Sequence, residues 1–206
     1  MLKKELRQKY KALRSGLSEI EIEEKSLAIA NEILKLPIWD KTYFHVFLPI
    51  EEQKEVNTEF ILHLLSGKDK EIVISKSDFA TRNMTHFLLT DNTKIKKNEY
   101  NIPEPVDGLE VPATRIDVVF VPLLAYDKKG HRVGYGKGFY DKFLAECKPE
   151  TIKIGLSFFE PEEIIAIQED TGYLIITSNN KIITKEESLV IWKHLYKNKN
   201  LVGKII

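Results

Sequence analysis

The densest chemistry in the 206-residue chain lies in one short run, from Val121 to Asp141. Four of the ten glycines fall between Gly130 and Gly138, and Gly134, Gly136 and Gly138 alternate. Glycine allows positive φ and close approach of the backbone to a ligand. A helical pattern follows the run, so its N–H groups can converge at a helix N-terminus, where anions bind. Arg132 and Lys137 add formal positive charge to the same loop. The physics therefore points to a phosphate cradle, although a glycine-rich turn between strand and helix has the same composition. The spacing is neither GxxxxGK[ST] nor GxGxxG, so it does not specify the ligand. Asp141 follows directly, either as a carboxylate that shares a cation such as Mg2+ with phosphates or as a first-turn acid favoured by the helix dipole.

Two more candidates stand apart from this run. Residues 1–14 carry Lys3, Lys4, Arg7, Lys9, Lys11 and Arg14 against Glu5, a net charge of +5. They form either a basic binding stripe or a solvated helix face. Glu55, in the polar run after Leu48, could orient hydrogen-bond donors of a ligand or simply open a helix. The five histidines, His45, His63, His86, His131 and His194, show no HExxH spacing and no cysteine partner, which disfavours zinc. There is no GxSxG elbow. The single cysteine, Cys147, cannot form an intrachain disulfide and reads as packing. Tyr126, Tyr135, Phe139 and Tyr140 surround the loop as walls, or as platforms for a flat heterocycle.

Elements must position these groups. Leu2, Leu6, Tyr10, Leu13 and Leu17 recur at helical spacing and predict an amphipathic first helix, with the basic stripe beside its apolar face. Ser18 with Glu21 reads as a capping box for a second helix, with Ile22, Ser26, Ile29, Ile33 and Leu36 inward and Pro37 as its stop. Strands are expected at 43–48, 71–75, 85–89, 117–121, 151–157, 174–177 and 181–183. Helices are expected at 58–65, from 138 to 146, and from Thr184 to about Lys197. This alternation predicts an α/β sheet covered by helices.

Lys and Arg number 31 and so do Asp and Glu, which disfavours a broad binder of nucleic acid or anionic membrane. A hydrophobic fraction of 43% is too high for a disordered chain. No stretch approaches the roughly 18 apolar residues of a membrane span, and the amino terminus has no apolar signal core. One domain over 1–206 and a cytoplasmic location are expected.

These residues resemble the 5-formyltetrahydrofolate cyclo-ligase family, also called 5,10-methenyltetrahydrofolate synthetase. The resemblance runs from about Lys3 to about Thr177. Its most specific part is Pro122…Asp127-x-x-Gly130-x-Arg132-x-Gly134-x-Gly136-x-Gly138-Phe139-Tyr140-Asp141. Lys3-x-x-Leu6-Arg7 with Arg14, Glu55-x-x-Thr58, Ile102-Pro-Glu-Pro105 and Ile154-Gly-Leu-Ser157 occur in family order.

The resemblance implies ATP-dependent conversion of 5-formyltetrahydrofolate to 5,10-methenyltetrahydrofolate, with Mg2+ as cofactor and ADP and phosphate as further products. It implies a three-layer α/β/α domain of the ribose-5-phosphate isomerase and CoA-transferase-like superfamily. A helical pair would precede the core, and a C-terminal helical extension would cover about 185–206. By family analogy Lys3, Lys4, Glu5, Leu6, Arg7, Arg14, Arg132, Val133, Gly134, Tyr135, Gly136, Lys137, Gly138, Phe139 and Tyr140 would contact ATP. Leu48, Glu55, Tyr135, Gly136, Lys137, Gly138 and Phe139 would contact the folate, with Lys137 and Arg132 catalytic. Asp141 would hold the metal. Glu169 is its second expected ligand, by counting back from Thr177, with Asp170 beside it. The stretch from Gln168 to Tyr173 departs from the family pattern, and the loop from Leu48 to Glu55 is about two residues longer than expected. The departure leaves a second reading, a nucleotide- or sugar-phosphate-binding domain without ligase chemistry. The expected partners are small molecules, not nucleic acid or membrane, and the expected state is a monomer.

Overall fold

A computed structural model of the chain describes residues 2–163, 165, 174–177 and 182–184. The expectations for Glu169, Asp170, Tyr173 and the C-terminal helix lie outside the described residues. Helix α1 (Lys3–Ser15) is followed by α2 (Glu19–Leu34). The predicted capping box closes α2: Ser18 Oγ accepts from the Glu21 N–H at 3.2 Å, and Glu21 accepts the Ser18 N–H at 2.8 Å. Strand β1 (Tyr43–His45), helix α3 (Glu59–Ser66) and strands β2 (Glu71–Asp78) and β3 (Asn83–Leu88) come next. A small hairpin pairs β4 (Ile95–Lys97) with β5 (Pro103–Pro105). Then come β6 (Val118–Pro122), a second hairpin of β7 (Ala125–Tyr126) and β8 (Arg132–Val133), α4 (Phe139–Glu146), β9 (Ile152–Ser157), β10 (Leu174–Thr177) and β11 (Ile182–Thr184).

Among the described residues, seven strands form one sheet in the order β11-β10-β9-β6-β1-β2-β3. Neighbours from β10 to β2 are parallel, and the two edge strands are antiparallel. Alternate residues serve opposite faces. Phe44, Ile72, Val118, Phe120, Ile154 and Leu156 pack against Ile29 and Ile33 of α2 and Ile61 and Leu65 of α3. Val73, Val119 and Val121 pack against Phe143 and Leu144 of α4. Helices thus cover both faces, as the alternation predicts for a largely parallel sheet.

Several expectations need correction. The first strand ends at His45 rather than Leu48, β2 runs three residues past Ser75, and both hairpins went unpredicted. Their strands are two or three residues long, too short for periodicity to register. The apolar stripe of α1 is narrower than its spacing suggests. Leu6 and Tyr10 are buried, whereas Leu2 and Leu13 are 66% and 44% exposed. The third buried side chain on the same i, i+4, i+8 row is Arg14, at 3% exposure. A cation is stable there because acceptors from three other segments surround it.

Candidate active site

The glycine run is built outward from β6. After Pro122 the chain forms the β7–β8 hairpin, whose turn hangs on Asp127. This fully buried carboxylate accepts the N–H groups of Lys129, His131 and Ile165 and the His131 ring, each at 2.9 Å. Burial alone would raise its pKa, but the Ile165 N–H and the His131 ring and N–H outweigh burial and hold it low. Asp127 therefore anchors the loop.

From Gly134 the chain runs over α1. Arg7 Nε donates to the Gly134 carbonyl at 2.9 Å. Gly136, at φ +93°, would place an added Cβ 3.0 Å from Arg7 Cζ. A side chain at this φ would be strained and its Cβ would crowd the guanidinium. Gly138, at φ +80°, then opens α4. Arg132 pairs with Asp141 in the first turn of α4.

Behind the loop lies a charged knot. Arg14 donates to Tyr135 Oη at 2.7 Å and to the Leu123 carbonyl at 2.5 Å. Tyr135 donates to Glu55 Oε1 at 2.6 Å, and the Ile50 N–H donates to Glu55 Oε2 at 2.8 Å. Burial pushes the Glu55 carboxyl up, against the opposing pull of Arg14 and these two donors. The knot ties α1, the Leu48–Glu55 loop and the glycine run together, although they are distant in sequence.

These parts line one cavity of about 870 Å3. Lys3, Arg7 and Lys11, on three successive turns of α1, line it together with residues 132–141. Leu48 and Glu55 also reach its wall, as do Val133, Tyr135, Lys137, Phe139, Tyr140 and Asp141. Four expected contacts do not line it. Lys4 and Glu5 are exposed on another face of α1, where Glu5 caps the Leu2 N–H at 2.9 Å. Leu6 is core, and Arg14 stands behind Tyr135. A helix turns about 100° per residue, so a contiguous 3–7 segment cannot present every side chain to one side.

The cavity has a second wall that sequence reasoning missed. It is made by His45, Ser75, Ser77, Phe79, Met84, Tyr100 and Glu104. Phe79 stacks on Tyr100 with ring centroids 4.1 Å apart and meets Phe139 edge-on at 5.0 Å. The signal was the polar alternation Ser75-Lys-Ser77-Asp78, which continues β2 past its apolar half.

A family model described as the 5-formyltetrahydrofolate cyclo-ligase family matches residues 1–162, and so includes both walls and the knot between them. The chain belongs to that family. Cyclo-ligase relatives include the Haemophilus influenzae 5-formyltetrahydrofolate cyclo-ligase, 26% identical over 160 residues, which span 76% of this chain and 85% of that protein. The mouse 5-formyltetrahydrofolate cyclo-ligase is 30% identical over 153 residues, 71% and 73% of the two chains. The NMR structure of Aquifex aeolicus 5,10-methenyltetrahydrofolate synthetase superposes with a TM-score of 0.73 at 26% identity, covering 89% of this chain and 93% of that one.

In this cyclo-ligase chain no cluster of three or more His, Cys, Asp or Glu side chains suited to a metal occurs among the described residues. Asp141 is the carboxylate that the cradle itself presents, with 70% of its side chain exposed.

Proposed function

We propose that the chain converts 5-formyltetrahydrofolate to 5,10-methenyltetrahydrofolate, consuming ATP and releasing ADP and phosphate. The observation that carries this reading is the joining, in one cavity, of a cation-lined glycine loop and an aromatic wall. The first suits a triphosphate, the second a flat heterocycle.

A formamide oxygen is a poor leaving group. Transfer of the γ-phosphoryl to it gives an imidoyl phosphate. N10 then attacks the formyl carbon, loses its proton and closes the ring as phosphate departs. Both steps depend on alignment and on stabilising negative charge, so no protein nucleophile is needed. Lys3, Arg7 and Arg132, with the N–H groups of 134–138, hold the phosphates in this scheme. Lys137 neutralises the transferring phosphoryl; it lines the cavity and is exposed to it. Leu48, Glu55 and Phe139 meet the folate. Mg2+ commonly takes one or two carboxylates plus substrate phosphates, and Asp141 fits that habit, with Glu169 proposed as the second ligand. When bound, Mg2+ spreads the charge on the phosphate oxygens. Arg132 exchanges Asp141 for phosphate in this arrangement.

The same reading gives one domain over the whole chain, a fold of the ribose-5-phosphate isomerase and CoA-transferase-like superfamily, and a cytoplasmic monomer. The test is methenyl-folate absorbance with 5-formyltetrahydrofolate, with and without ATP and Mg2+. Formation that needs ATP supports the proposal, and no product under any condition overturns it.

A further inference from the structure

The wall of the cavity built on β1, β2 and β3 contains a row of three hydrogen-bonded side chains that the proposed chemistry leaves unused. His45 Nε2 lies 2.7 Å from Ser75 Oγ, and Ser75 Oγ lies 2.7 Å from His86 Nδ1. Ser75 and His86 sit directly opposite each other in the β2–β3 pair, and β1 brings His45 alongside. Both imidazoles are buried, at 0% and 4% exposure, against Phe143 of α4. Ser75 is half-buried and lines the cavity.

Hydrogen-bond balance leaves Ser75 with one spare acceptor site. Burial keeps both rings uncharged: it takes His45 well below the ordinary histidine range and His86 down to about 4. His45 Nδ1 and His86 Nε2 are buried without a hydrogen-bond partner of good geometry. The Ser75 hydroxyl donates to one ring nitrogen and accepts the N–H of the other ring. In either direction one lone pair of Ser75 Oγ remains, on a residue that lines the cavity.

A second acceptor stands on the same wall. Glu104 is 6% exposed and lines the cavity. One carboxylate oxygen accepts the Ser77 N–H at 2.8 Å, the other Asn98 Nδ2 at 3.0 Å. Among the described residues no lysine or arginine forms an ion pair with it. A carboxylate has about four acceptor positions, so two are left. The cavity thus joins these acceptors and the stacked aromatics to the cations and N–H donors of the cradle.

We propose that Ser75 and Glu104 determine specificity by accepting the two N–H hydrogens of the exocyclic amine on the folate's pyrimidinone ring, with His45 and His86 positioning Ser75. This rests on the cyclo-ligase reading of the cavity. Glu104 and Ser75 select a donor edge, and Phe79, Tyr100 and Phe139 select its flatness.

Calorimetric titration tests the assignment with 5-formyltetrahydrofolate and with its analogue carrying methyl in place of the 2-amino group. The wild-type protein is expected to bind the analogue at least tenfold more weakly. Ser75→Ala and Glu104→Gln each lose about tenfold for the natural ligand, yet bind the analogue as the wild type does. ATP affinity stays within twofold throughout. His86→Leu reproduces the Ser75→Ala pattern, and His86→Gln, which retains an N–H donor, restores the wild-type one. Equal binding of both folates by the wild type overturns the proposal, as does equal weakening of both by Ser75→Ala and Glu104→Gln. If Ser75→Ala does not fold, Glu104→Gln decides. Wild-type turnover without discrimination between the two folates overturns this inference and leaves the function standing. Failure to bind any folate overturns both.

Discussion

The two walls of the cavity are supported in opposite ways. The cradle wall rests on charge: Arg14, Tyr135 and Glu55 form a buried knot behind the glycine run. The acceptor wall rests on a neutral row, His45–Ser75–His86, on the face of the sheet that α4 covers. A wall that holds a polyanion gains from fixed positive charge nearby. A wall that takes a donor edge gains from carrying no positive charge, because an imidazolium there would repel N–H groups. Each support thus matches the ligand chemistry proposed for its side.

The largest effect expected from breaking this contrast is Arg14→Met. It leaves Glu55 buried without its cation, and removing one partner of a buried pair costs about 3–5 kcal/mol. Denaturant unfolding should show a loss of that size; a loss below about 1 kcal/mol would mean that the knot is not holding the cradle. Acid comes next. The folded pKa of His86 is about 4 against 6.5 unfolded, so its stabilising contribution is present above pH 6.5 and is lost as pH falls towards 4. The shift corresponds to up to about 3 kcal/mol. Glu55 runs the other way: its raised pKa favours the folded state below the ordinary carboxylate range, and that share is lost as pH rises through the folded value. Unfolding curves from pH 7.5 to 4 should therefore flatten in His86→Leu and steepen in Glu55→Gln.

Lys137→Ala should lower turnover about 100-fold, roughly 2.7 kcal/mol, with folate affinity little changed. A drop of threefold or less removes Lys137 from phosphoryl transfer. The smallest effect expected is that of Gly136→Ala, where positive φ and the Arg7 contact together cost about 1–2 kcal/mol. It should weaken ATP binding about tenfold in titration while leaving folate binding within twofold, since Gly136 touches Arg7 and not the acceptor wall.

The cradle was legible because its parts are contiguous. Glycines at 134, 136 and 138 and the cations beside them read as a loop before any fold is known. The acceptor wall was not. Its members come from β1, β2, β3 and β5, and His45 and His86 look like isolated histidines until strand register sets Ser75 between them. Arg14 was misplaced for a related reason. Helical periodicity ranks side chains by hydropathy, and a buried cation looks like a surface one until its acceptors arrive from elsewhere.

The sequence by itself determined the capping box of α2, the strands of a sheet covered on both faces, and the glycine loop with its charge. These follow from local backbone preference and from the burial of apolar side chains. Only the tertiary structure decided which cations of α1 face the cavity, which one is buried behind it, and that a second, acceptor-rich wall exists. Those outcomes depend on which acceptors and donors the folded chain brings within about 3 Å of each other, and no spacing along the chain encodes that distance.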